Sequence, residues 1–226
     1  MPASFDPVLV DPVPFELETA FARLRNFMQA YPKAAMFQLA EEGYSSPFEQ
    51  LVSCMISIRT YDEVSLPVSR QLFAKAKTPQ AMKALSVAEI EGLIKRSTYA
   101  SRKAQQIWAI AQEITDSYSG KLPCDAAVLL GFKGVGPKCA HLTLGIACQQ
   151  PYISVDVHVH RVMNRWGYVE TKTPEKTTKA LEEKLPQPYW IETNRLLMPF
   201  GKQICQGQSP QCSQCPLADM CPQVGL

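Results

Sequence analysis

No run of apolar residues in this 226-residue chain approaches the ~18 that a bilayer-crossing helix needs, which excludes a transmembrane helix and a membrane partner. A basic start is also missing: MPASFDPVLVDPVPFELE carries four acids and no Lys or Arg ahead of Arg23. That charge is wrong for a secretory or organellar signal, so the expected location is cytoplasmic, at the nucleoid if the partner is DNA. Internal repeats and low-complexity linkers are absent. Charged residues make up only 19% against 46% apolar, a balance that excludes disorder and supplies a real core. An overall excess of one charge is lacking too, since the net charge is +2. Composition alone therefore announces no nucleic-acid partner.

The distribution of charge says more. Residues 1–50 hold three basic against seven acidic groups, whereas residues 59–103 hold nine basic against four acidic. One basic segment in a near-neutral chain suits a localised phosphate-binding face, and equally a set of solvated helix faces.

The dominant period is helical. In Glu16–Tyr31 the apolar residues Leu17, Ala20, Phe21, Leu24, Phe27, Met28 and Tyr31 form one amphipathic stripe. Ser46-Pro47-Phe48-Glu49 reads as an N-cap, a first-turn proline and a capping-box glutamate, and Ser86 with Glu89 repeats the signal. Thr78-Pro79 and Thr173-Pro174 open two further helices, and Ser101–Tyr118 another, with Gly120 to cap its end. Pro67 sits awkwardly inside a helix that should follow Asp62. One stretch, Ile153–Val159, alternates like a strand. A lone strand has nothing to pair with, so this segment is expected to run extended into a helix near Asp156. The fold class is all-α.

Four of the eight cysteines crowd the end of the chain: Cys205, Cys212, Cys215 and Cys221, spaced C-x6-C-x2-C-x5-C. Without an oxidising compartment, disulfides are the weaker reading. Four thiolates in one short loop suit a zinc ion or an iron–sulfur cluster, and spacing alone does not choose. Zinc ribbons usually pair two C-x2-C knuckles, however, and only one is present. Cys54, Cys124, Cys139 and Cys148 lie in apolar helical stretches and read as buried small hydrophobes.

Residues 127–148, AVLLGFKGVGPKCAHLTLGIAC, read as helix, glycine turn, helix. Gly134 and Gly136 flank Val135 and allow a close backbone approach, and Pro137 opens the second helix. The free N–H groups of that helix can then receive a phosphate oxygen, a contact that holds nucleic acid without reading sequence. Lys138 lies in its first turn, where the macrodipole and partial burial both lower the pKa of an amine, as a nucleophile requires. A plain phosphate contact is the equal alternative for a lysine so placed. Asp156 tips that balance. A helix over 137–148 carries the chain about 18 Å from Lys138, and seven extended residues span roughly 23 Å, enough to return. Asp156 can thus face Lys138 while capping the helix that follows.

Together these features resemble the endonuclease III family of helix–hairpin–helix DNA glycosylases and abasic-site lyases with a C-terminal [4Fe–4S] cluster. The matching segments are SSPFEQLVSCMIS (45–57), LLGFKGVGPKCA (129–140), SVDVHVHRVMNR (154–165) and the cysteine cluster. The resemblance implies two helical domains: a six-helix barrel over residues 40–150 containing the helix–hairpin–helix, and a discontinuous iron–sulfur domain from residues 1–39 plus 151–226. DNA would lie in the cleft between them. It implies a base excision repair enzyme, expected as a monomer, acting on double-stranded DNA with damaged bases or abasic sites. A base would be flipped into the cleft, Lys138 would attack the sugar C1′, and β-elimination would follow, with Asp156 assisting. Cys205, Cys212, Cys215 and Cys221 would hold the cluster.

Four departures bear on lesion preference. Cys139 stands where the family usually has Thr, and His141 where it has Asn. Arg59 takes the place of the Gln that enters the DNA stack, and Tyr99 that of a Leu wedge. Both can stack on bases. In His158-Val159-His160 the two imidazoles diverge on a helix, so His158 is read as a site wall, His160 as packing, and metal ligation as improbable. Two other readings compete. A monofunctional mismatch glycosylase typically lacks this lysine and carries a further C-terminal domain, whereas a non-enzymatic DNA-binding module would hold zinc in its cysteines.

Overall fold

The computed structural model describes residues 15–226, so most of the acidic leader on which the localisation reading rests lies outside the described residues. Among the described residues there are twelve α-helices and no strand, and no helix is long and apolar enough to cross a membrane.

The amphipathic stripe of Glu16–Tyr31 becomes α1 (Leu17–Phe27) and a 3-10 turn, Met28–Ala30. Helices α2 (Ala35–Glu41), α3 (Pro47–Ser57), α4 (Asp62–Lys75), α5 (Pro79–Lys83), α6 (Val87–Ile94), α7 (Ala100–Ser117), α8 (Ala126–Gly131) and α9 (Pro137–Cys148) follow. Their start signals are those read in the sequence. Ser46 with Glu49 and Ser86 with Glu89 form full capping boxes, and Thr78 caps α5. At the end of α7, the Gly120 N–H reaches back to the Ile114 carbonyl at φ +75°, closing the turn as a glycine can.

Helix α4 runs straight through Pro67. The proline removes one helical hydrogen bond, a cost of about 3 kcal/mol in an exposed helix. Val68, Leu72 and Phe73 follow it on the buried stripe, and their burial offsets that loss.

The chain then crosses in extended form to α10 (Val157–Arg165), α11 (Pro174–Lys184) and α12 (Trp190–Gln203). Ile153 and Val155 of the strand-like stretch are buried, but the segment pairs with nothing and ends at Asp156, the N-cap of α10. Thr173 caps α11.

Two cores result. One gathers Leu51, Val52, Met55, Leu72, Phe73, Ile107, Ile114 and Leu144, and reaches back to Ala34, Met36 and Phe37. The other packs Phe21 and Leu24 of α1 against Val159, Val162, Trp166, Leu197 and Phe200. Helix α12 ties them together. Ile191 and Met198 pack on the first core, and Lys202 pairs with Glu63 of α4 at 2.5 Å. Gly201 lets α10 approach closely, because a Cβ there would meet the His158 Cβ at 2.9 Å.

Candidate active site and cysteine loop

The hairpin forms as its glycines require. Gly134 adopts φ +93°, and Gly136 precedes Pro137 as an N-cap with no side-chain acceptor. Among the described residues, no protein group accepts the N–H of Gly134, Gly136 or Lys138. Val135 differs: its side chain is buried and its N–H bonds the Phe132 carbonyl at 3.1 Å, so only its backbone can face a partner. The tip therefore presents free amides at the start of a twelve-residue helix, a site suited to phosphate.

Lys138 stands one residue into that helix, half-buried. The extended segment returns as the distance arithmetic requires. The Ser154 hydroxyl donates to the Lys138 carbonyl at 3.3 Å, His141 Nδ1 bonds the Ile153 carbonyl at 3.0 Å, and the His141 ring stacks on Tyr152. Asp156 caps α10 through the N–H groups of His158 and Val159, both at 2.9 Å. Its carboxylate lies close enough to Lys138 for its charge to act on the ammonium.

The lysine's protonation differs from the sequence expectation. Burial is the largest single influence and lowers its pKa, but the sulfurs of Cys54 and Cys139 and the carboxylates of Asp156 and Asp62 together outweigh burial. The net shift is upward. Lys138 is held as an ammonium, and any nucleophilic role for it would first require loss of a proton.

One of those neighbours was invisible in sequence. Cys54 on α3 lies 3.8 Å from Lys138 Nζ and 2.7 Å, sulfur to sulfur, from Cys139 on α9. The hydrogen bond with Cys139 brings Cys54 down to about 6, against burial and with help from the Lys138 charge, while Cys139 is pushed up by the same bond and by burial.

Arg59 and Tyr99 belong to two loops that meet. Both have left-handed backbones, φ 55° and 59°, rare for bulky residues and typical of constrained functional loops. Arg59 Nη1 donates to the Tyr99 hydroxyl at 3.3 Å, and the Thr98 hydroxyl to the Arg59 carbonyl at 2.8 Å. Lys103 locks the junction from beneath, donating to the carbonyls of Ile56 and Ile58 at 2.6 and 2.8 Å. Sequence gave no sign of this staple. The Tyr99 side chain stands 59% exposed, and Arg59, Tyr99 and Lys103 share a pocket with Gly134 of the hairpin.

The histidines are committed elsewhere. Arg161 Nη2 donates to His158 Nδ1 at 3.1 Å, and His160 Nδ1 bonds the Thr177 hydroxyl at 2.6 Å. His158 is half-buried beside Asp156, and burial lowers its pKa.

Cys205, Cys212, Cys215 and Cys221 line one pocket with Arg165, Trp166 and Phe200. A single zinc would need four sulfurs about 2.3 Å from one point. Among the described residues, no three His, Cys, Asp or Glu side chains close on such a point. Thiols spread around a shared pocket suit a multi-atom cluster instead. Arg165 marks the loop as built for anionic sulfur, whichever metal group it holds. It is buried with no carboxylate partner among the described residues, and Nη1 points at the Cys205 sulfur from 3.4 Å. A buried cation so placed suits an anionic thiolate-bound cluster. Arg165 and Arg161 also grip the Cys205 carbonyl, at 3.3 and 3.0 Å, bolting the loop to α10 and hence to Asp156.

The remaining cysteines correct the sequence reading. Cys54 and Cys139 are buried, as expected. Cys124 and Cys148 instead form a disulfide, and Cys124 is exposed. The bridge joins the residue before the Asp125 cap of α8 to the last residue of α9, bracketing the hairpin. Apolar neighbours in sequence concealed it because both positions lie at element ends.

A family model described as the HhH-GPD superfamily of base excision DNA repair proteins matches residues 52–187. A second, described as the iron–sulfur binding domain of endonuclease III, matches residues 205–221. The endonuclease III of Thermotoga maritima is 37% identical over 177 residues, covering 78% of this chain and 83% of that protein. That of Bacillus subtilis is 34% identical over 179 residues, covering 79% and 82%. Among solved structures, a non-covalent endonuclease III–DNA complex superimposes with a TM-score of 0.79 at 28% identity, covering 92% of this chain and 94% of that one. A trapped endonuclease III–DNA covalent intermediate gives 0.77 at the same identity and coverage.

Proposed function

The chain belongs to the HhH-GPD superfamily of base excision DNA repair proteins, within its endonuclease III branch, and on that premise we propose a role for each residue of the site. It is a DNA glycosylase and abasic-site lyase that binds DNA and carries a [4Fe–4S] cluster. Lys138 is the nucleophile. Its free amine attacks the sugar C1′, and the base departs with the electrons of the N-glycosidic bond. The C1′–O4′ bond then breaks, O4′ takes a proton and the sugar opens to the protonated imine, and loss of a C2′ proton expels the 3′ phosphate. Asp156 accepts the proton that Lys138 must lose and stabilises positive charge developing on the sugar. The observation that carries this reading is the return of the segment before α10 to the start of α9, where Ser154 bonds the Lys138 carbonyl and the Asp156 charge acts on the Lys138 ammonium, with free amides beside them.

The substrate is double-stranded DNA containing oxidised pyrimidines or abasic sites, and the enzyme acts on it as a monomer in the cytoplasm, at the nucleoid. The two cores favour a division into a barrel and a discontinuous cluster domain, with DNA across the cleft; Ala34, Met36 and Phe37 pack in the barrel core, so the barrel begins before residue 40. The Gly134–Gly136 backbone holds phosphate, and His158 lines the cleft. When bound by Cys205, Cys212, Cys215 and Cys221, the cluster staples a loop with few apolar residues and, through Arg165 and α10, holds Asp156 in register. Purified anaerobically, the protein is expected to be yellow-brown, with about four iron and four acid-labile sulfide per chain. Stoichiometric zinc without sulfide would contradict the assignment.

Arg59 and Tyr99 fill the gap left by the flipped base. Unstacking costs a few kcal/mol, and wedge residues offset part of it. Arg59 donates only, in a planar fork matched to guanine O6 and N7. The enzyme is therefore expected to process one lesion faster opposite G than opposite A, and Arg59→Gln to reduce that ratio in single-turnover assays. Tyr99→Ala should weaken DNA binding whatever the opposite base, by about 1–3 kcal/mol for a lost stacking contact. An unchanged ratio in the first variant would leave Arg59 as a phosphate contact only. Full affinity in the second would end the wedge assignment.

A further inference from the structure

We propose that Cys54 and Cys139 form an oxidisable dithiol in the wall of the lysine site, where a peroxide creates a Cys54–Cys139 disulfide and so withdraws the sulfur charge facing Lys138. The proposal rests on Lys138 as the nucleophile. Its basis is geometric. The two sulfurs lie 2.7 Å apart on facing helices, and a disulfide needs about 2.05 Å, so under an ångström of closure makes the bond. Both residues are free thiols. Neither belongs to the cluster loop, and the Cys124–Cys148 bridge lies at the other end of α9. Both sulfurs are buried, and Lys138, itself only half-buried, lies 3.8 Å from the Cys54 sulfur, so the oxidant proposed is the small one, hydrogen peroxide.

The reaction balances without another reagent. The Cys54 thiolate attacks one oxygen of hydrogen peroxide, the O–O bond breaks, and the departing hydroxide takes a proton to leave as water. Cys54 is then a sulfenic acid. The Cys139 sulfur attacks the Cys54 sulfur, the S–O bond breaks, and a second water leaves with the Cys139 proton. Two electrons pass from sulfur to oxygen, and a dithiol reductant reverses the process.

The effect falls on Lys138. In the reduced state it faces Cys54 from α3, Cys139 from α9, Asp156 from the α10 cap and Asp62 from α4, with Lys103 near Cys139 and Lys202 near Asp62. In the oxidised state only the two carboxylates still oppose its burial. The ammonium then releases its proton at lower pH.

The test treats the cluster-loaded enzyme with hydrogen peroxide, following cluster absorbance to keep it intact, then blocks free thiols and maps peptides by mass spectrometry. In parallel, borohydride trapping on an abasic-site duplex is measured against pH before oxidation, after it, and after dithiothreitol. A peptide joining Cys54 to Cys139 is expected, together with a reversible acid-ward shift of the trapping midpoint by about one pH unit or more. Cys139→Thr should form no such peptide, and peroxide should not move its profile. Recovery of both cysteines as blocked thiols from oxidised wild type would overturn the proposal, as would a linked peptide with an unmoved profile. The linked peptide forms with or without a working Lys138, so trapping absent both before and after oxidation counts against the lysine and not the dithiol, whereas trapping lost at every pH only on oxidation would overturn the proposed shift.

Discussion

Lys138→Gln is expected to abolish the borohydride-trapped adduct and to cut strand cleavage by about three orders of magnitude or more, as removal of a covalent nucleophile does. An amide cannot form the imine, so no residual route through this side chain survives. Affinity for an abasic-site duplex should change little, because the hairpin amides remain free. The exchange also removes a cation that helps to lower the Cys54 thiol, so circular dichroism should accompany the assay to establish that the variant is folded. An adduct of wild-type yield would move the nucleophile elsewhere.

Asp156→Asn is expected to keep DNA binding and lose about 10²–10⁴-fold in turnover, the range for a residue that moves a proton in the rate-determining step. Asn accepts from the His158 and Val159 amides nearly as well as Asp does, so the α10 cap survives. What disappears is the charge beside Lys138. Asp156→Ala separates the two contributions, since it should also lose about 1 kcal/mol of stability with the cap. Equal losses of binding and turnover in the Asn variant would reduce Asp156 to a structural cap.

These effects trace to features of unequal legibility in the sequence. The capping boxes at Ser46 and Ser86 are local signals, because the whole interaction lies within four residues. The return of Asp156 to Lys138 was legible for a different reason: helix rise and extended reach fix the length of any path between them. The crowding of four cysteines at the chain end was legible by spacing, although the choice between zinc and an iron–sulfur cluster needed the likeness of residues 205–221 to the iron–sulfur binding domain of endonuclease III.

What escaped was mostly long-range. Cys54 and Cys139 stand 85 residues apart in sequence, and no periodicity brings their sulfurs together. The lysine pKa was misjudged for that reason, since the dipole and burial were visible and the facing sulfurs were not. Lys103, read only as one charge in a basic segment, turned inward to satisfy carbonyls left free where α3 ends. Pro67 misled in the opposite sense, because a local penalty was outweighed by tertiary burial.

The most direct test is to trap the wild-type enzyme with borohydride on a duplex carrying a single thymine glycol, digest it, and identify the modified peptide by mass spectrometry. The expected result is base release together with a sugar adduct on Lys138 alone. Base release with no adduct, or an adduct on any other residue, would contradict the lysine-centred mechanism.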